Sequence, residues 1–306
     1  MFVRKLQGVF LALVFTAMVL PVAVPSEAVH ATACTGVCCE PDVVHTVVVN
    51  KAQAETRRHV SVNPIRPDCG GGGASPCSTS SYYYATGVED DGYESYGVAG
   101  TQVVYGATLP CGSSSDGSGV AYYVNVYFGP VSSFTGWAQI GYYQGYNSEL
   151  TAYTASPHYY LEVCSNVNDC PSSDYLWDDL STASGVYPSV GSTVTFLLSS
   201  DCVLPGSCPI SNLWSYYIIV GSEIVISGEF FAPGQYGSAN SAAAESHNVE
   251  NIMTGKFTDL QVQLSDGGSV PWAASYSATT GSPYNVAQCS TTEFTMWTTG
   301  GTVPSC

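Results

Sequence analysis

Short runs of alternating apolar and polar residues recur from about residue 81 onward, and no run keeps a helical period between capping residues. In Gly119–Phe128, Tyr122, Val124 and Val126 share one side. In Trp137–Tyr143, period two puts Trp137, Gln139 and Tyr143 on one face, with Gly141 leaving a gap, and turns Ala138, Ile140 and Tyr142 toward a core. In the next run His158, Tyr160 and Glu162 oppose Tyr159, Leu161 and Val163. Thr193–Leu198 groups Val194, Phe196 and Leu198; Asp259–Leu264 groups Leu260, Val262 and Leu264. Tyr216–Val220 and Glu223–Ser227 flank Gly221-Ser222, a two-residue hairpin turn. Many strands separated by Gly, Ser and Pro turns predict an all-β fold: an antiparallel two-sheet β-sandwich of the jelly-roll, concanavalin-like kind.

Ahead of this region the pattern changes. Arg4 and Lys5 precede an apolar run from Val9 to Val24, and small residues follow at Ser26, Ala28, Ala31 and Ala33. These mark residues 1–33 as a signal peptide for export, too short an apolar run for a membrane span. Residues 34–80 read as an N-terminal extension or pro-segment. They carry Lys51, Arg57, Arg58 and Arg66 and end in the glycine-rich linker Cys69–Cys77. Residues 81–306 form the sandwich domain. All 12 cysteines lie beyond residue 33, an even number in an exported chain, so disulfides are expected. Cys164 with Cys170, Cys202 with Cys208 and Cys289 with Cys306 are the proposed pairs.

Charge narrows the function. From Pro67 to Cys306 there is one basic residue, Lys256, against 20 acids. Such a surface repels nucleic acid and anionic lipid at neutral pH. In acid the carboxylates protonate, and a chain almost free of Lys and Arg stays near neutral rather than strongly positive. The composition therefore points to an acidic milieu. Halophilic acidity is the weaker alternative, because charged residues make up only 10% of the chain. We expect a secreted, extracellular monomer that meets neither nucleic acid nor, once the signal is removed, a membrane.

Three segments carry candidate chemistry. A long amide, Gln139, between aromatic residues and beside a bare glycine suits a groove where a ligand backbone approaches closely; the plain alternative is a solvated glutamine on an aromatic outer face. Glu162 falls beside the same groove if its strand neighbours the first, and otherwise is an exposed acid. Glu245 lies among small residues in Ala242-Ala243-Ala244-Glu245-Ser246-His247, or in a surface loop. The domain has only two histidines, His158 and His247, and no Gly-x-Ser-x-Gly, His-Glu-x-x-His or phosphate-binding loop.

The Gln139-Ile-Gly-Tyr strand, the aromatic strand ending at Glu162, and the Ala-Glu245 segment leading to Met253-Thr254-Gly255 occur in this order in the glutamic-peptidase-like sandwiches. The chain resembles that group, the eqolisins and the neprosin-type proteins, over roughly residues 95–300. The resemblance implies a catalytic dyad of Gln139 and Glu245. It departs in having Ser246 where eqolisins have Trp and Ala244 where neprosin-type proteins have Gly, and a Gln at the first position agrees with the eqolisin pattern. The implied activity is acid endopeptidase action. Glu245 would activate a water held against Gln139, whose amide would donate to the oxyanion. No metal or cofactor is needed. The implied partner is an extended peptide or protein, with Trp137, Tyr143, Tyr160, Glu162 and His247 around it. Two other readings stand: a non-catalytic sandwich that binds glycan or peptide, and a glycoside hydrolase with paired carboxylates such as Glu162 and Glu245.

Overall fold

The computed structural model describes residues 83–89, 94–110, 119–130, 134–147, 152–165, 175–201, 212–246, 248, 250–272, 275–279 and 283–306. The expected signal peptide, the expected extension with its linker, and His247 lie outside these residues.

The alternating runs form strands in two antiparallel sheets. The first has seven strands in the order β13 (Ser275–Thr279), β1 (Tyr83–Glu89), β10 (Gly237–Ser246), β3 (Val120–Phe128), β4 (Gly136–Asn147), β5 (Ala152–Cys164) and β6 (Tyr175–Asp179). The second runs β14 (Tyr284–Ser290), β15 (Glu293–Thr298), β11 (Thr254–Gln263), β2 (Gly97–Val103), β7 (Thr193–Ser200), β8 (Leu213–Val220) and β9 (Glu223–Phe231), with β12 (Ser269–Pro271) paired to β11. This is the all-β two-sheet sandwich expected from the alternation.

The core lies between the sheets. Tyr122, Val124, Val126, Ile140, Tyr142, Tyr159, Leu161 and Val163 enter it from the first sheet; Val194, Phe196, Leu198, Ile218, Leu260 and Val262 enter from the second. Each set occupies alternate positions of its strand, so burying one face automatically presents the other. Tyr122 stacks on Tyr142 with ring centroids 4.7 Å apart. Its hydroxyl accepts from the backbone N–H of Thr254, which lets a phenol sit in the core without an orphaned hydroxyl.

Local rules explain the turns. Gly221 takes φ 64° and Val220 pairs with Glu223, so Gly221-Ser222 is the expected two-residue connection. The strand expected from Asp259 starts earlier, at Thr254. Asp259 sits instead at φ 53° in a bulge, where the pairing of β11 with β2 shifts between Thr258 and Gln261. A single-turn helix, α1 (Leu180–Ser184), follows β6. Asp179 caps its start by accepting from the Thr182 N–H, and Gly185 ends it at φ 74°. One turn is too short to leave a periodic signature. Cys289 and Cys306 are bonded, as proposed. Cys164 is also disulfide-bonded, to a partner outside the described residues, where the Cys202–Cys208 pairing also falls. Among the described residues no helix is long and apolar enough to cross a membrane.

The edge strand β6 creates a pH-sensitive feature. Trp177 and Asp179 face outward opposite Glu162 and Tyr160, so Asp178, opposite Leu161, faces the interior. Burial, with Asp179 beside it, pushes the Asp178 carboxyl up to about 7. Its folded value thus exceeds its unfolded one, and the folded state holds the extra proton between roughly pH 4 and pH 7. This contribution is fully present below about pH 4 and is lost as the pH rises through about 7; its ceiling is about 4 kcal/mol. Urea unfolding at pH 4, 5.5 and 7.5 should show wild-type stability falling with pH. Asp178→Asn should flatten that slope, raising stability at pH 7.5 and leaving it unchanged at pH 4. Parallel profiles for the two proteins would contradict this origin.

Candidate functional site

The outer face of the seven-stranded sheet gathers the candidate residues. Register places them in three rows across β10, β3, β4, β5 and β6. The first reads Ser241, Asn125, Gln139, Glu162, Trp177; the second Ala243, Tyr123, Gly141, Tyr160, Asp179; the third Glu245, Ala121, Tyr143, His158. Polar residues on an exposed sheet face are ordinary, but these are enclosed. Gln139 is 3% exposed, Glu162 2% and Glu245 3%. Enclosed polar groups need partners, and the arrangement supplies them.

The Gln139 amide lies directly across from Glu162. Its Nε2 donates to the Glu162 carboxylate and to the Tyr160 hydroxyl at 3.1 Å. The tight β4–β5 hairpin brings these three together from nearby sequence positions. Tyr160 stacks on Trp177, with ring planes 11° apart. Tyr143 meets Trp177 edge-on at 5.3 Å and Tyr160 edge-on at 5.9 Å. This aromatic cluster walls the Gln139–Glu162 pair on one side. Trp137 lies one pleat beyond Gln139 in the other direction, buried against Cys164 and Tyr127.

Gly141 has a different role from the one its position on the face suggests. A Cβ there would collide with the backbone carbonyl oxygen of Tyr122 on β3. The backbone that approaches this glycine belongs to the chain itself, and the residue is needed for close pairing of β3 with β4.

Gln139 and Glu245 share the face but are not cross-strand neighbours. They are two strands and four residues apart. Standard spacing and rise put their Cα atoms roughly 16 Å apart. Tyr123, 4% exposed, stands at the midpoint of the diagonal between them. One water alone does not span this distance.

The structure adds residues to which the sequence assigned no role. The Nδ1 of His158 lies 2.9 Å from the Asp179 carboxylate. Asp179 also accepts from the Thr182 N–H at 2.9 Å, the Thr182 hydroxyl at 2.8 Å and the Tyr143 hydroxyl at 3.2 Å. Burial alone would raise the Asp179 carboxyl, but the hydrogen bonds from His158 and Thr182 outweigh it and hold the group below its ordinary value. The Tyr143 phenol is pushed up, first by burial and then by the Asp179 charge. Asn125, 2% exposed, turns toward the same face beside Gln139, and its Oδ1 lacks a hydrogen-bond partner. The alternation placed His158 on this face, but Trp177 and Asp179 join only through pairing of β6 with β5. Among the described residues no group of three or more His, Cys, Asp or Glu side chains is arranged to hold a metal ion.

No protein-family model matches the chain, and neither does any curated protein. Among solved structures, scytalido-glutamic peptidase with a transition state analog inhibitor is similar, with a TM-score of 0.46 and 14% identity over 70% of this chain and 98% of that one. A second structure of scytalido-glutamic peptidase, with a peptide based transition state analog, aligns with a TM-score of 0.46 and 13% identity over 71% of this chain and 98% of that one.

Proposed function

We propose that this chain is a secreted, acid-acting endopeptidase in which Gln139 and Glu245 flank the scissile peptide. One observation carries the reading: a buried amide, held by Glu162 and Tyr160, lies on the same enclosed face as a second buried acid, Glu245. Glu245 acts as general base on a water, which attacks the peptide carbonyl, and then returns the proton to the leaving amine. The Gln139 N–H donates to the developing oxyanion, an interaction worth most where water is excluded. The gap of roughly 16 Å between Cα atoms is filled by substrate and water together, with Tyr123 between the two groups.

Glu162 and Tyr160 both accept from the Gln139 Nε2. Substrate must take the place of one of these acceptors before an N–H can face the oxyanion. The signal-like N-terminus and the acid-rich composition support export into an acidic medium.

The glycosidase reading is less well supported. Glu162 and Glu245 are three strands and four residues apart, roughly 20 Å between Cα atoms, where paired-carboxylate enzymes hold their carboxyl groups about 5–10 Å apart.

The test is incubation of the purified protein with a denatured protein substrate across pH 2–7, with pepstatin present to silence aspartic peptidases. Cleavage confined to acid is expected. Turnover of polysaccharide without proteolysis would sink the proposal.

A further inference from the structure

His158 stands apart from the groups used above. It lies in the same row as Glu245 and Tyr143, and its side chain is 13% exposed. Nδ1 is taken by Asp179; among the described residues Nε2 has no hydrogen-bond partner. The ring is packed edge-on by Tyr187 at 4.9 Å and tilted against Tyr143 at 5.7 Å. Tyr187, in the segment after α1, is 48% exposed, so this corner of the site opens to solvent. The groups facing the imidazole are thus Asp179 from β6, Tyr143 from β4 and Tyr187 from the segment after α1.

Its chemistry is unlike that of the rest of the face. Among the described residues the other basic side chain is Lys256, which lies on the second sheet and pairs with Glu293 at 2.7 Å. In acid a histidine is imidazolium and donates from both nitrogens. Asp179 fixes the ring through Nδ1 and is itself fixed by Thr182 and Tyr143. That leaves Nε2–H as an oriented, charged donor at the open edge of an acid-lined face. A charge-assisted hydrogen bond from such a donor is stronger than a neutral one.

We propose that His158, held by Asp179 and flanked by Tyr143 and Tyr187, forms a subsite for a carboxylate on the bound peptide, so that substrates with an acidic side chain near the cleaved bond are preferred. This rests on the peptidase reading for the identity of the ligand. His158 acts here in binding, so the preference appears chiefly in KM.

The experiment uses paired fluorogenic peptides that differ only in Glu against Gln, placed in turn at three positions on either side of the cleaved bond. The wild type should favour Glu at one position by about tenfold in kcat/KM, and His158→Gln should bring that ratio near one. Melting temperatures check that the variant folds. If it does not, Tyr187→Ala, at a half-exposed position that packs edge-on against the imidazole, should lower the ratio instead. Binding of the same peptides to Glu245→Gln, followed by tryptophan fluorescence, separates the two readings. Cleavage without preference at any position, or a preference that survives His158→Gln, overturns the subsite and leaves the peptidase. Glu-selective binding without any cleavage by the wild type keeps the subsite and removes the peptidase.

Discussion

Glu245→Gln and Gln139→Ala should each reduce acid cleavage of a denatured protein by about 10²–10³-fold or more. Both positions are enclosed on the outer face rather than in the sandwich interior, so neither change opens a hole among the packed apolar groups. Glu245→Gln preserves shape and removes only the base. Gln139→Ala removes the oxyanion donor and also leaves Glu162 without its amide neighbour, so its unfolding must be measured beside its activity. Glu162→Gln discriminates further. A neutral amide at 162 can accept from or donate to Gln139 at any pH. If Glu162 serves only to hold the Gln139 amide, this variant should keep activity. If Glu162 is instead the reacting base, Glu162→Gln should be inactive and Glu245→Gln should retain cleavage. Kinetics of the three variants between pH 2 and pH 7 decides which carboxyl does the chemistry.

Gly141→Ala should destabilise the fold by about 3 kcal/mol or more. The added methyl meets the Tyr122 carbonyl and the Tyr123 Cα, all backbone, so no side-chain rotation relieves it. The strands β3 and β4 must separate locally, weakening the pairing that carries Tyr122 and Tyr142 into the core. Gly106→Ala is the control. Its nearest neighbour to a new Cβ is a Val190 methyl at 3.6 Å, an ordinary contact, so its effect should stay within about 0.5 kcal/mol. Urea unfolding of both variants measures the difference. Because Gly141 is two residues from Gln139 on the same strand, Gly141→Ala should also lower catalysis in whatever fraction remains folded. A Gly141→Ala protein as stable as the wild type would mean that the strands do not approach this closely.

These two positions show how differently the sequence speaks about fold and site. Alternation in Trp137–Tyr143 and His158–Val163 correctly assigned every side chain to the core or to the outer face, because a strand has only two faces and one must be apolar. The β4–β5 neighbourhood was left open by the alternation; the structure pairs the two strands, as a short connection favours. Gly141 was legible as special but not in its cause: a missing side chain looks the same whether a ligand or a neighbouring strand fills the space. Helix α1 went unseen because one turn carries no period, although Asp179 and Gly185 hold both of its capping positions.

By itself, then, the chain's pattern of residues determined the all-β class, the inward and outward faces of the central strands, and the acid-rich, nearly cation-free composition; the Cys289–Cys306 bridge it only proposed. These follow from neighbours along the chain, from composition, and from the two-fold repeat of an extended backbone. Only the tertiary structure decided that Tyr123 stands between Gln139 and Glu245, that Glu162 holds the Gln139 amide, and that Trp177 and Asp179 join the face while Asp178 turns inward. Those relations depend on which strands lie side by side and in what register. Pairing is set by the collective burial of both sheets, and shifting one strand by two residues would preserve every face while changing every neighbour.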